Sequence, residues 1–153
     1  MILTLDKLRE KWSVATCFDG LDKDIYVNLL SLAHNARDNA YAPYSSFKVG
    51  AAVLAENDIV YYGANVENAS YGATICAERS AVCSAISAGE KAIKAVAVIA
   101  DYPTPIPPCG MCRQVISEFG KETMVLMANT EGDLSIEKIN ILMPGIFVLQ
   151  NKD

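Results

Sequence analysis

Three cysteines in two short clusters are the residues of this chain best suited to bind a metal ion. Cys76 opens the run Cys-Ala-Glu-Arg, and Cys109 and Cys112 follow within Pro-Cys-Gly-Met-Cys-Arg-Gln. Three protein ligands leave one position of a tetrahedral zinc ion open, which distinguishes a catalytic zinc site from a closed structural one. The pattern therefore predicts a zinc ion bound by Cys76, Cys109 and Cys112.

Both clusters fall where a loop that carries Pro or Gly enters a predicted helix. The free N–H groups and the positive dipole end of a helix N-terminus stabilise thiolates and lower their pKa. Cys109 and Cys112 are three residues apart, so they share one helical face. Cys76 belongs to another helix, and a shared ion would therefore clamp the two helices together.

Two charged residues next to Cys76 suit the same chemistry. Glu78 lies two residues after the first ligand, where a carboxylate can take a proton from an activated water and deliver it to a substrate. Arg79 can donate hydrogen bonds toward the sulfurs and withdraw electron density from them. The alternatives are a solvated glutamate on the helix surface and a surface salt bridge for Arg79.

The alternatives for the cysteines are a structural four-cysteine site and a redox Cys-x-x-Cys pair. The first needs a fourth ligand, and Cys83 follows Cys76 by seven residues, or about 10.5 Å along a helix, which is too far to share one ion. The second leaves Cys76 and Glu78 without a role. We expect Cys83 to be a buried apolar residue, as free cysteines often are, and Cys17 to be the same.

The amino-acid composition and net charge indicate which classes of protein this chain can belong to. The chain has 153 residues, of which 52% are hydrophobic and 20% are charged, as expected for one globular domain. Its net charge of −5 supplies no basic face for a nucleic acid. No apolar run is long enough to span a membrane, and the N-terminus does not resemble a signal peptide, so a cytoplasmic protein is expected. In that setting the five cysteines favour metal ligands or buried thiols over disulfides.

Apolar periodicity and turn residues predict the elements that position these residues. Residues 1–21 are expected to be an N-terminal extension with a short amphipathic helix that packs through Leu5, Leu8 and Trp12, and residues 22–153 a single domain. A hairpin followed by alternating strands and helices predicts a mixed sheet with helices on both faces. The predicted helices cover 22–40, 76–88, 109–119 and a short segment around 135–140; the predicted strands cover 47–55, 59–66, 95–100 and 123–128.

Further blocks join the cysteine clusters in a longer pattern. Residues 40–45 read Ala-Tyr-Ala-Pro-Tyr-Ser, residues 47–52 Phe-Lys-Val-Gly-Ala-Ala, and residues 65–71 Asn-Val-Glu-Asn-Ala-Ser-Tyr. With Cys-x-Glu and Pro-Cys-x-x-Cys they make the chain, from residue 25 to 147, resemble the small three-cysteine cytidine deaminases. The resemblance implies a three-layer α/β/α sandwich with a mixed five-stranded sheet. It also implies zinc-dependent hydrolysis of cytidine and deoxycytidine to uridine and deoxyuridine plus ammonia, in pyrimidine salvage.

The resemblance assigns Asn65 and Glu67 to the ribose 3′-hydroxyl. The two residues are two apart at the end of a predicted strand, so their side chains point to the same face. An amide beside a carboxylate offers a hydroxyl both a donor and an acceptor. The alternative is that both side chains cap a loop.

Other site residues are likewise implied by the resemblance. Phe47 resembles the phenylalanine that lines the pyrimidine pocket, although it can also be a core residue of its strand, and groups near Ala77 are expected to contact the base. Tyr71 resembles a tyrosine of the pocket rim, and Phe147 a phenylalanine that closes a neighbouring subunit's site in a homotetramer. Residues 148–153 depart from the acidic-leucine ending of the family. His34 is expected to be a surface or interhelix residue.

Two other functions fit parts of the pattern. A related enzyme could deaminate an aminonucleoside antibiotic, but the combination of Asn65, Glu67 and Tyr71 favours plain nucleosides. A zinc-stabilised protein could bind nucleosides without converting them, but the glutamate at position 78 favours turnover. Conversion of cytidine by the purified protein separates these possibilities.

Overall fold

The computed structural model describes residues 2–15 and 22–150, so the expectation for Cys17 lies outside the described residues. None of the helices in these two ranges has the length and apolarity to cross a membrane. The elements are α1 (Leu5–Ser13), α2 (Lys23–Arg37), β1 (Val49–Ala55), β2 (Val60–Ala64), α3 (Ala77–Ser87), β3 (Ile93–Ala100), α4 (Gly110–Phe119), β4 (Met124–Asn129), β5 (Leu134–Lys138) and α5 (Ile139–Leu142), with a 3₁₀ turn over Tyr71–Ala73.

The five strands form one mixed sheet in the order β2-β1-β3-β4-β5. The predicted hairpin of β1 and β2 is antiparallel, as are the pairs β1–β3 and β4–β5. Only β3 and β4 run parallel, and α4 makes the crossover between them. The carboxyl ends of these two central strands therefore lie side by side, next to the loop that leads into α4.

The side chains of the strands pack alternately into two separate apolar cores, one on each face of the sheet. Val96 and Val98 of β3 face α3, α4 and α5, whereas Ala97 and Ile99 face α1 and α2. Because successive side chains of a strand point to opposite faces, a strand covered on both sides is apolar on both, as β3 is from Ala95 to Ala100. The expected three-layer α/β/α arrangement with a mixed five-stranded sheet is confirmed.

The N-terminal helix packs on the body of the protein as the apolar spacing predicts. Leu8 and Trp12 of α1 are fully buried in the core on the α2 side of the sheet, and Leu5 is partly buried against it. The backbone N–H of Leu3 also donates to the carbonyl of Thr130, 3.0 Å away. The division into an extension over 1–21 and a domain over 22–153 stays a prediction.

Helix α2 begins as predicted and ends earlier than predicted. The Asp22 carboxylate accepts hydrogen bonds from the N–H groups of Asp24 and Ile25, which caps the first turn. The helix ends at Arg37 rather than at residue 40. The N–H groups of residues 38–40 bond instead to carbonyls three residues back, so the chain tightens into a 3₁₀ turn before Pro43.

Close contact between helices and strands depends on two glycines. A Cβ on Gly50 would lie 2.0 Å from the carbonyl oxygen of Ala33 in α2, and a Cβ on Gly63 would lie 2.6 Å from the backbone nitrogen of Ala81 in α3. These positions accept no side chain without a shift of the helix. Gly63 thereby lets α3, which carries Glu78 and Arg79, lie directly on β2.

Two predictions about local structure are wrong. Residues 135–138, expected to begin a short helix, belong to the edge strand β5 (Leu134–Lys138), and the helix covers only Ile139–Leu142. Leu134 and Ile136 alternate with more polar neighbours and pack against the core, which is strand periodicity. Cys83, expected to be buried, is exposed. Helix α3 turns Val82 and Ala85 toward the sheet, which leaves the side of Cys83 facing away from it.

Candidate active site

The three predicted thiols come together at two helix N-termini. Cys76 precedes the first residue of α3, Cys109 precedes the first residue of α4, and Cys112 lies in the first turn of α4. Their sulfurs all lie within 4.8 Å of one another. The Sγ atoms of Cys76 and Cys109 are 3.8 Å apart. Two sulfurs about 2.3 Å from one tetrahedral zinc ion would be separated by about 3.8 Å, so the thiols fit zinc.

The electrostatics of the cluster favour a thiolate at Cys76. A hydrogen bond from the Cys112 thiol and, to a smaller extent, the hydrogen bond and positive charge of Arg79 lower the pKa of Cys76 to about 5. The same interaction with Cys76 raises the pKa of Cys112, the buried donor of the pair. Cys76 would therefore bind a metal ion as a thiolate, whereas Cys112 would give up its proton to the incoming ion.

Arg79 points to the sulfurs rather than to a surface carboxylate. Its Nη2 donates to the carbonyl of Thr74 at 3.0 Å and lies 3.9 Å from the Sγ of Cys76. It forms no ion pair with any carboxylate in the described part of the chain. Its Nε is buried and has no hydrogen-bond partner there. This geometry suits the predicted role of withdrawing electron density from the thiolates.

No fourth ligand joins the cluster within residues 2–15 and 22–150, since Cys76, Cys109 and Cys112 form the complete group there. Cys83 lies outside it, as its spacing from Cys76 predicts. The three clustered thiols are free rather than paired in a disulfide. The described residues therefore offer zinc three ligands and leave a coordination position for another molecule.

The Glu78 carboxyl is buried beside the thiols. It belongs to the first turn of α3 and is 5% exposed, so it is not the solvated surface glutamate of the alternative. Burial and, to a smaller extent, the negative charge on Cys76 raise its pKa to about 7. A carboxyl whose pKa lies near neutrality can both accept and donate protons at physiological pH, which general acid–base catalysis requires.

A cavity of about 200 Å³ connects the thiols to the expected base-binding residues. Its walls are mostly apolar, and Glu78 supplies a carboxyl at the end next to the sulfurs. Such a cavity has room for a small aromatic ring with a few polar groups to orient it. The lining residues are Phe47, Val49, Asn65, Thr74, Cys76, Ala77, Glu78, Ile106, Pro107 and Cys109.

A second cavity, of about 320 Å³, adjoins the first at Thr74. It contains the Glu67 carboxylate and the rings of Tyr44 and Tyr71, which meet edge to face at a centroid distance of 6.3 Å. Its full lining is Tyr44, Ser45, Glu67, Asn68, Tyr71 and Thr74. The predicted pair is thus divided between the cavities, with Asn65 in the first and Glu67 in the second.

Both side chains of this pair also hold loops, as the alternative for them states. The Asn65 amide accepts from the N–H of Val49 at 2.8 Å and donates to the carbonyl of Phe47 at 2.9 Å. The Glu67 carboxylate accepts from the N–H groups of Tyr44 and Ser45 and from the Ser45 hydroxyl. The hydrogen bond from that hydroxyl lowers the pKa of Glu67, so the carboxylate is charged at neutral pH.

The remaining expected residues occupy different environments. Phe47 precedes β1, packs against the core and lines the first cavity, so it has features of both proposed roles. Ala77 is buried in the same wall. Tyr71 and Phe147 are exposed, and Phe147 lines neither cavity. His34 is half-buried on α2, as expected.

Several lining residues were not predicted from the sequence. Ile106 and Pro107 belong to the proline-rich loop that precedes Cys109, a position that could have suggested a wall of the site. Thr74 lies two residues before Cys76 and joins the two cavities. Asn68 lies within the block 65–71, but nothing in its residue type indicated contact with a cavity.

Comparisons with known proteins agree with this site. A family model described as the cytidine and deoxycytidylate deaminase zinc-binding region matches residues 23–128, which include all three thiols and Glu78. The cytidine deaminase of Sporosarcina psychrophila is 48% identical over 120 residues, which is 78% of this chain and 88% of that protein. The cytidine deaminase of Halalkalibacterium halodurans is 47% identical over 124 residues, or 80% and 94% of the two chains.

A solved structure supports the same relationship. The crystal structure of cytidine deaminase from Burkholderia pseudomallei superposes with a TM-score of 0.76 at 46% sequence identity. The superposition covers 78% of this chain and 97% of that one. The family model, the two relatives and the solved structure all cover the segment that carries the thiol cluster. The chain therefore belongs to the cytidine and deoxycytidylate deaminase family.

Proposed function

We propose that this protein is a zinc-dependent deaminase that hydrolyses cytidine and deoxycytidine to uridine and deoxyuridine plus ammonia, a reaction of pyrimidine salvage. The observation that carries the proposal is the position of Glu78. Its buried carboxyl shares a small apolar cavity with two of the three thiols, and its pKa is about 7. Membership of the deaminase family supports the same reaction.

The chain's own residues account for the proton transfers. Cys76, Cys109 and Cys112 would hold zinc, which lowers the pKa of water toward about 7 and so makes a nucleophile available at neutral pH. Glu78 takes a proton from the attacking water and delivers it to N3 of the cytosine ring, which makes C4 electrophilic. The water oxygen bonds to C4, and Glu78 then moves the remaining proton of that oxygen to the amino group. The bond from C4 to the amino nitrogen breaks, ammonia leaves, and the oxygen stays as the C4 carbonyl of the uracil product.

Charge distinguishes a nucleoside from a nucleotide substrate. No Lys or Arg is among the residues that line the two cavities in the described chain, and the Glu67 carboxylate is charged. A 5′-phosphate there would face a negative charge without a cation to balance it, which disfavours deoxycytidylate. The neutral sugar of cytidine has no such conflict. The overall net charge of −5 also disfavours a nucleic-acid partner.

The proposal also assigns individual pocket residues to parts of the substrate. Phe47 and Ala77 would contact the base, and Asn65 and Glu67 the ribose, with Tyr71 at the rim of the pocket. Lining of the two adjoining cavities supports these roles. Arg79 would withdraw electron density from the thiolates that it faces.

A homotetramer with sites shared between subunits belongs to the same proposal. Exposed apolar side chains lie side by side where backbone bridges join Tyr41 to Val66 and Val66 to Ile75. Exposed apolar clusters of this kind mark surfaces that other chains cover. Phe147 is also exposed and would reach a neighbouring site. The free thiols of the cluster suit a reducing compartment and therefore the cytoplasm.

A substrate panel tests the function. Zinc-loaded protein is incubated with cytidine, deoxycytidine and deoxycytidylate, and the loss of cytosine absorbance and the release of ammonia are followed. Both nucleosides should be converted, and deoxycytidylate should react at least about tenfold more slowly. A folded, zinc-loaded protein that binds cytidine without converting it would instead indicate a nucleoside-binding protein.

A further inference from the structure

The loop between β3 and α4 forms one wall of the first cavity, which contains Glu78 and is called the base cavity from here on. The backbone of this loop makes few hydrogen bonds with the rest of the described chain. Residues 101–108 connect the two elements, and four of them are prolines, which have no backbone N–H. Among the described residues, the backbone of 102–108 makes no hydrogen bond to another backbone group. The loop nevertheless places Ile106 and Pro107 against the cavity and leads into Cys109. Its position must therefore depend on side chains from elsewhere.

The buried side-chain amide of Asn129, at the end of β4, makes one such contact with the loop. Asn129 is fully buried, and its Nδ2 donates to the carbonyl of Pro103 at 3.3 Å and to the Asp133 carboxylate at 2.9 Å. Its Oδ1 accepts from the N–H groups of Glu131 and Asp133. Capping this turn needs only an acceptor, which an aspartate would also provide. The N–H donor that faces Pro103 is what the amide adds.

The next residue, Thr130, makes a hydrogen bond to the first residue of the same loop. Thr130 is fully buried, and its Oγ1 donates to the Asp101 carboxylate at 3.0 Å. The ring of Tyr102 in turn meets the ring of Phe47 edge to face, with centroids 6.3 Å apart. The end of β4 is thus linked through residues 101–103 to Phe47, which lines the same cavity.

We propose that Asn129, assisted by Thr130, is a positioning residue for the base cavity: it holds the proline-rich loop against the substrate through the Pro103 carbonyl. The inference rests on the proposed deaminase function. Parallel pairing of β3 with β4 sets Ala100 opposite Asn129, so the amide lies beside the start of the loop. Neither Asn129 nor Thr130 is among the residues that line the two cavities described above, so both would act through the loop.

The test compares two variants that differ in the Pro103 contact. Asn129→Ser keeps an oxygen that can cap the turn, is neutral, and is too short to reach Pro103. Asp133→Ala removes the same Asn129–Asp133 hydrogen bond from the exposed side and leaves the Pro103 contact intact. Zinc content, KM and kcat for cytidine, and affinity for the product uridine are measured for both variants and the parent. Amide hydrogen exchange over 101–114 reports on the loop directly.

Asn129→Ser should raise KM for cytidine and Kd for uridine by about three- to tenfold relative to Asp133→Ala, the range for one lost hydrogen bond. Its kcat should fall less than KM rises, with zinc retained, and the loop should exchange faster. If this variant does not fold, the nearly isosteric Thr130→Val should show the same pattern to a smaller extent. Values within twofold of Asp133→Ala, with unchanged exchange, would overturn the proposal. An inactive parent would refute the proposed function, while uridine affinity and exchange would still test the positioning role.

Discussion

The side-chain amide of Gln114 donates a 2.9 Å hydrogen bond to the main-chain carbonyl of Phe147. Gln114 lies two residues after Cys112 on α4, and the neighbouring Arg113 donates to the carbonyl of Leu142 at 2.6 Å. The helix that carries two of the thiols therefore also holds the C-terminal segment.

The purified protein should contain about one zinc ion per chain. Each of the variants Cys76→Ser, Cys109→Ser and Cys112→Ser should lose stable zinc binding, because each sulfur is one of only three ligands in the described chain. Metal analysis after mild reduction gives the stoichiometry. Cys83→Ala is the matched control, since this exposed thiol lies outside the cluster, and loss of zinc in this variant would show that the ligand set is wrong.

Glu78→Gln should retain zinc and fold but lose turnover. Glutamine preserves the size of the buried side chain and cannot transfer protons, and Glu78 is assigned more than one transfer. We expect kcat for cytidine to fall by about 10⁴-fold or more, the upper end of what general acid–base catalysis contributes. Stopped assays at high enzyme concentration measure the residual rate. Activity within tenfold of the parent would exclude the assigned role.

Asn65→Ala and Glu67→Ala should impair cytidine far more than free cytosine analogues. An unpaired sugar hydroxyl or its unpaired partner costs about 1–3 kcal/mol, or about 5- to 150-fold in kcat/KM. Asn65→Ala should also lower the unfolding midpoint, because it leaves the N–H of Val49 without its partner. Ser45→Ala is the control, since it removes one hydrogen bond to Glu67 but keeps the carboxylate. Normal cytidine kinetics in both variants would place the ribose contact elsewhere.

Truncation after Gly145 should weaken substrate capture and loosen the assembly while zinc is retained. The deletion removes Phe147, whose side chain is exposed in the single chain, and leaves the thiols untouched. Sedimentation of the parent at assay concentration should show a four-chain species, and dilution to monomers should abolish activity. Gln114→Leu should reproduce part of the effect, because it frees the same segment. A parent that is fully active as a monomer would contradict shared sites.

The relative positions of the functional residues within each helix could be predicted from the sequence because they depend on local geometry. Cys109 and Cys112 are one helical turn apart, and Glu78 follows Cys76 within one turn, so their relative positions follow from helix geometry alone. The buried strand β3 and the hairpin of β1 and β2 were equally predictable, since each is a contiguous run with its own periodicity and turn residues. The approach of Cys76 to Cys109, 33 positions later, depends instead on how α3 packs against α4.

Other features depended on tertiary packing. The strand β5 exists because its residues pair with β4, and a short run of mixed polarity carries no strong signal of its own. The exposure of Cys83 depends on the rotation of α3 against the sheet, which the packing of Val82 and Ala85 decides. The tie from Asn129 to Pro103 joins residues that lie 26 positions apart. Only the parallel pairing of β3 and β4 brings them together, because such contacts depend on how distant segments pack rather than on the local pattern of either one.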